Sequence, residues 1–144
     1  MSLASFITQF VGLSITGVTT TYDVSAIPES LADSKLPALI PVVPSAPGSE
    51  GQIPDVLNRG TSNAYEATYS VEFVIYIRPV GQKPPATYVN ELVTYIDRFL
   101  SAVRTNDSAF AWDMWVRAPR AGILPYAGVD YVAVVFPVVY REIL

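Results

Sequence analysis

The chain has 144 residues, of which 51% are hydrophobic and only 15% charged, with nine bases against thirteen acids and a net charge of −4. It has no cysteine and no histidine. That removes disulfides, thiolate metal sites, the commonest general base and the commonest transition-metal ligand.

The first predicted element is a helix over residues 3 to 11, extending at most to Ile15. Leu3, Phe6, Ile7, Phe10 and Val11 recur at helical spacing, Ser2 stands where an N-cap would, and Gly12 where a helix would stop. The β-branched stretch "GVTTTYDV" then reads as extended, and "PESLADSK" as a turn or one short helical turn. In "LPALIPVVPSAPG", residues 36 to 48, Leu36, Ala38 and Ile40 alternate with Pro37, Leu39 and Pro41. Proline cannot donate to a ladder, so this segment is expected at a sheet edge, protected from pairing or reserved for a chosen neighbour. Residues 44 to 63 are rich in Pro, Gly, Ser and Asn without a clear period. They are expected to be a long loop that orders on assembly.

Residues 65 to 78 alternate cleanly, with Tyr65, Ala67, Tyr69, Val71, Phe73, Ile75 and Ile77 on one face and Glu66, Thr68, Ser70 and Glu72 on the other. At about 3.3 Å per residue the strand spans roughly 45 Å. That exceeds the roughly 37 Å width of a compact domain of this length, so it must bend or project as an arm. Pro84 and Pro85 open a second helix whose apolar stripe runs Val89, Leu92, Val93, Ile96, Phe99, Leu100, Val103, with Asn90, Glu91, Thr94, Asp97, Arg98 and Ser101 facing away. "TNDS" ends it. Trp112 to Ala118 alternates as a strand, with Trp112 and Trp115 on opposite faces: one core, the other a partly covered surface aromatic or an interface anchor. "PRAGILPYAG" reads as a turn, and residues 128 to 142 as a final strand apolar on both faces, with a bulge or the end of a ladder at Pro137. Helices would cover one of those faces; the other needs the second helix or another subunit. The expected fold is therefore a single α+β domain, a mainly antiparallel sheet of about four strands with two helices packed on it.

No catalytic constellation stands out. "GLSIT", from Gly12 to Thr16, imitates a nucleophile elbow, but Thr16 replaces its last glycine and no histidine exists to activate Ser14. Glu66 and Glu72 lie about 20 Å apart along a strand, too far for a glycosidase pair. Asp23, Glu29 and Asp33 match no cation loop and read as solvated acids. No enzyme activity, metal or cofactor is expected. The longest apolar run, Val132 to Tyr140, has nine residues and a proline. A spanning helix needs about 20, so membrane insertion is not expected. The N-terminus has no basic residue before its apolar stretch breaks, so a cytoplasmic origin is expected. The apolar excess points to burial by other subunits.

The chain resembles the tail terminator, or tail completion, proteins of tailed bacteriophages. The likeness rests on an amphipathic first helix running into "ITGVTTTYDVSAIPESLADSKLPALIPVVP". It continues in the long alternating strand that leads through Pro84 and Pro85 into a second helix, and in the closing strand "YVAVVFPVVYREI". The resemblance implies a virion protein made in the host cytoplasm. It would form a homohexameric ring that caps the tail tube, stops its polymerisation and meets neck or head-completion proteins, while DNA passes through without specific binding. Contacts with neighbours are expected from Leu36, Leu39, Ile40, Val42, Tyr65, Tyr69, Trp115, Ile123, Leu124, Tyr126, Tyr131 and Val135. Asp23, Glu29 and Asp33 would line the channel and repel DNA. The alternatives are another head–tail connector, or a carrier of small apolar ligands whose strand faces line a cavity.

Overall fold

The structure is a computed structural model that describes residues 3–42, 56–59, 65–81, 83–106 and 114–143, with the backbone alone at 56–59, 65–68, 142 and 143. Its elements are, in order, α1 (Leu3–Val11), β1 (Thr20–Thr21), β2 (Ala38–Val42), β3 (Val56–Arg59), β4 (Tyr65–Pro79), α2 (Pro85–Thr105), β5 (Met114–Val116), β6 (Arg120–Tyr126) and β7 (Val129–Ile143). The fold is α+β: two helices with a mixed, mostly antiparallel open sheet. Six strands have three residues or more, and the two-residue β1 adds a parallel edge.

The sheet is built on two 15-residue strands, β4 and β7, paired antiparallel from Glu66↔Ile143 to Pro79↔Tyr131. The register shifts between Tyr76 and Arg78, where β4 has one residue more than β7, as in a β-bulge. Each long strand has two short partners on its outer edge. β2 and β3 share the edge of β4, and β5 and β6 share that of β7.

The prolines sit where this arrangement tolerates them. The Tyr22 N–H donates to Leu39 O at 3.0 Å, so the odd-numbered residues of β2 turn their backbone groups away from β4. Pro37 and Pro41 share that phase, and their missing N–H groups cost the β2–β4 ladder nothing. Pro137 occupies a central strand. Its carbonyl accepts from the Arg117 N–H at 2.8 Å, so its N side also turns toward β5 and β6. It falls where β5 has ended, at Val138, and β6 has not begun, at Val135. The expected end of a ladder at Pro137 is found on that side, while its pairing with Glu72 of β4 continues without a bulge.

Both helices pack on one face. Phe10 stacks on Phe73 at 4.3 Å, Phe6 on Tyr140 at 4.4 Å and Phe99 on Phe136 at 3.7 Å between ring centroids. Each stack joins a helix to β4 or β7, with Leu39, Val71, Ile75, Val134 and Val138 filling the layer between. The opposite face is covered by a segment of the chain itself and not by the second helix, which corrects that part of the sequence expectation. The segment between β1 and β2 crosses it, setting Leu31 among Ala38, Ile40, Val74, Tyr76, Tyr131, Ala133 and Val135, with Tyr22, Leu36, Leu124 and Tyr126 at the margin. Tyr126 donates to Pro28 O, and Tyr131 donates to Leu31 O at 3.4 Å, tying that segment to the sheet.

Three further corrections follow. The "PRAGILPYAG" stretch is mostly strand β6; its turn is Ala127–Gly128, both at positive φ, which closes a tight hairpin onto β7. Ala-Gly carries little of the usual Asn-Gly signal, which hid the turn. Val56–Arg59, inside the expected loop, is strand β3; residues 44–55 and 60–63 lie outside the described residues, as do Ser2 and Trp112. Finally, β1 rather than β2 forms the outermost strand beside residues 38 and 39.

Gly17 connects α1 to β1 at φ +87°, with its carbonyl receiving the Tyr95 hydroxyl at 3.2 Å. A Cβ there would lie 2.4 Å from an Arg98 guanidinium nitrogen and 3.1 Å from the Tyr95 oxygen. Gly17→Ala should therefore destabilise the chain by about 1–2 kcal/mol from the left-handed conformation alone. A thermal melt should show the midpoint falling by several degrees.

Candidate assembly surfaces

α2 starts at Pro85, whose missing N–H falls in the first turn, where no intrahelical partner exists. Its approach is fixed by Tyr88, whose hydroxyl accepts from the N–H groups of Gly81 at 2.9 Å and Lys83 at 2.8 Å. Tyr88, Leu92, Tyr95, Ile96, Phe99, Ala102 and Val103 meet the sheet. One flank of the helix is tied down. Glu91 forms a two-pronged ion pair with Arg78 at the end of β4, and Lys83 stands 3.8 Å from the same carboxylate. Arg98 donates to Thr16 O at 3.3 Å and lies over the Tyr95 ring. The sequence expectation that Glu91 and Arg98 simply face away misses these contacts, because a charged side chain on a helix flank can reach a neighbouring loop.

The other flank carries no cover among the described residues. Val89 is 61% exposed and Val93 53%, with Leu100 on the same side. At 100° per residue, positions 89, 93 and 100 fall within one narrow stripe. The apolar stripe expected as a single buried face is thus split: it is wider than the sheet can cover, and its outer half stays in solvent. Trp115, Ile123 and Val129 are also exposed, with Ile123 on the helix side of the sheet and Trp115 and Val129 on the other face.

The twelve residues expected to meet neighbours fall into distinct environments. Leu39, Ile40, Tyr131 and Val135 are core residues, buried by the chain itself, and have no surface to offer. Leu36, Val42, Leu124 and Tyr126 are half-buried against the second cluster. Tyr69 is half-buried and stacked 6.1 Å from Tyr140. Trp115 and Ile123 are exposed, and the Tyr65 side chain lies outside the described residues. Sequence reasoning missed Val89 and Val93 as surface groups because their helical spacing equals that of core positions.

The three acids expected in a channel do not act together. Asp23 caps a short helical turn, accepting from the Val24 N–H at 2.7 Å and from the Thr8 hydroxyl at 2.8 Å, which pins the crossing segment to α1. Glu29 and Asp33 are exposed on the same segment. No group of three or more acids that could hold a metal ion exists among the described residues.

No protein-family model matches this chain, and no curated protein is similar to it.

The described helices include none long and apolar enough to cross a membrane. The strand faces that an apolar-ligand carrier would line with a hollow are packed against α1, α2 and the 22–36 segment. A groove of about 530 Å³ between the α1 exit and α2, lined by Ser14, Thr16, Asp97, Arg98, Ser101 and Thr105 among others, is open to solvent and not an enclosed hollow.

Burial holds the phenols of Tyr76, Tyr126 and Tyr131 above the ordinary value of 10.0. Neighbouring phenols add to the rise at Tyr76 and Tyr126, and Asp33 adds to it at Tyr131. A phenol whose folded pKa is raised gives its full stabilisation below the unfolded value and loses it as pH climbs through the folded one. From neutral pH upward, denaturant unfolding should therefore show constant stability to about pH 9 and a decline beginning near pH 10. The combined Tyr126→Phe and Tyr131→Phe variant should show a shallower decline.

Proposed function

We propose that this chain is a structural protein of a phage virion, a ring-forming terminator that caps the tail tube and joins it to the neck. The observation that carries the reading is the pairing of a fully packed sheet with an uncovered apolar flank on α2. The sheet faces are closed within the chain, yet Val89, Val93 and Leu100 remain in water on the best-formed helix. An apolar stripe on a rigid helix, bordered by the charged groups Asp97 and Arg104, is the kind of surface that a partner covers. The terminator-like order of elements adds to this. So does the absence of histidine and cysteine from the sequence.

In this role the helix flank provides the contact between subunits in the ring, and the shape of the apolar stripe supplies the specificity.

The test is assembly with tail tubes. The purified chain, mixed with polymerising tail tube protein, should shorten the tubes and appear as closed rings at their ends in electron micrographs. The double variant Val89→Glu with Val93→Glu should fold with stability within about 0.5 kcal/mol of the parent, since both sites are exposed. It should fail to form rings. Tubes of unchanged length with the parent chain would refute the reading.

A further inference from the structure

The longest unpaired strand edge among the described residues is the outer side of β6, and its backbone phase can be fixed. Because Pro137 accepts from Arg117, the odd-numbered residues of β7 direct their backbone groups toward β5 and β6. Val135, Ala133, Tyr131 and Val129 face Arg120, Gly122, Leu124 and Tyr126 in that register. The even-numbered residues of β6 therefore bond to β7, and Ala121, Ile123 and Pro125 turn outward. The outer edge presents two N–H donors, from Ala121 and Ile123, and three carbonyls. It has no lysine, and its register with β7 has no bulge. Of the usual protections it keeps only Pro125 at one end and Arg120 at the other.

We infer that two copies of this chain pair through β6, antiparallel and centred on Ile123. In that register the two Ile123 residues exchange both of their hydrogen bonds. Each Ala121 N–H meets the carbonyl of Pro125 on the other copy, so every outward donor is satisfied and the missing N–H of proline leaves no donor unused. The two Arg120 side chains lie at opposite ends of the seam, which avoids like-charge contact. Arg120 is already joined to Glu72 of its own chain at 2.7 Å. Ile123, 61% exposed and opposite the buried Val132, projects on the helix side of the sheet, where it would meet its equivalent. The occupant is a second copy because the edge is complementary to itself. The contact is two-fold, unlike the head-to-tail contact of a ring. It is independent of the proposed function.

Sedimentation across a range of concentrations tests this together with amide hydrogen exchange. The chain should move from 15.7 kDa toward twice that mass. Over the same range the amides of Ala121 and Ile123 should slow by about tenfold or more, while those of Gly122 and Leu124 stay protected throughout. Ile123→Pro removes the central donors without touching the β6–β7 ladder, and should leave a folded monomer. Ile123→Lys should do the same, and stands in if the proline variant does not fold. A parent chain that stays monomeric, a dimer that survives both substitutions, or protection of Ala121 and Ile123 only within larger rings would each overturn the β6 pairing. The last result would leave the ring reading intact.

Discussion

Everything in this fold depends on the antiparallel pairing of β4 with β7. Two 15-residue strands side by side make a ribbon with two apolar faces and two free edges. Neither strand can shift register by one residue without moving Phe73 and Phe136 away from the helices and exposing them to the other layer. The three aromatic stacks that dock α1 and α2 fix that register from one side. From the other side, Tyr126 of β6 and Tyr131 of β7 fix it by bonding to the segment that crosses beneath them, with Tyr76 of β4 packed edge-on against both.

The short strands follow from the length of the long ones. One partner cannot run the full edge of a bent, twisted ribbon, so each edge is divided between two. The prolines mark the division. Pro137 stands in the gap between β5 and β6, and Pro41 turns its missing donor outward from β4. A proline in an apolar strand is then compatible with a central position, provided that its N side falls where a neighbouring strand is absent.

Much of this was legible in the sequence. α1 could be read to its ends because Phe6, Ile7, Phe10 and Val11 form one narrow stripe. The alternation of residues 65 to 78 fixed which side of β4 meets the helices, with Val71, Phe73, Ile75 and Ile77 all in that layer. The cover of the second face was not legible. Leu31 is a lone apolar residue in a polar stretch, and no periodicity announces that Tyr126 and Tyr131 will bind the Pro28 and Leu31 carbonyls, about a hundred residues away in sequence. Without that cover the final strand looked like an interface, and Tyr131 and Val135 were read as contact residues when they are core. The surface stripe on α2 was obscured by the same ambiguity in reverse: Val89 and Phe99 obey one periodicity, but only the position of the sheet decides which is buried.

The surfaces left for assembly are consequently smaller and better defined than the composition suggested. Among the described residues most large apolar side chains are buried inside the chain, and the most exposed of the rest are Val89 and Val93 on α2 and Ile123 on β6.

The most direct measurement is hydroxyl-radical footprinting of the chain at concentrations where it is monomeric. If the segment between β1 and β2 closes the second face, Tyr76 and Tyr131 will resist labelling in the monomer while Trp115 and Val93 are labelled readily. Ready labelling of Tyr76 and Tyr131 in the monomer, with protection gained only on association, would show that the face is closed by another subunit and contradict the account.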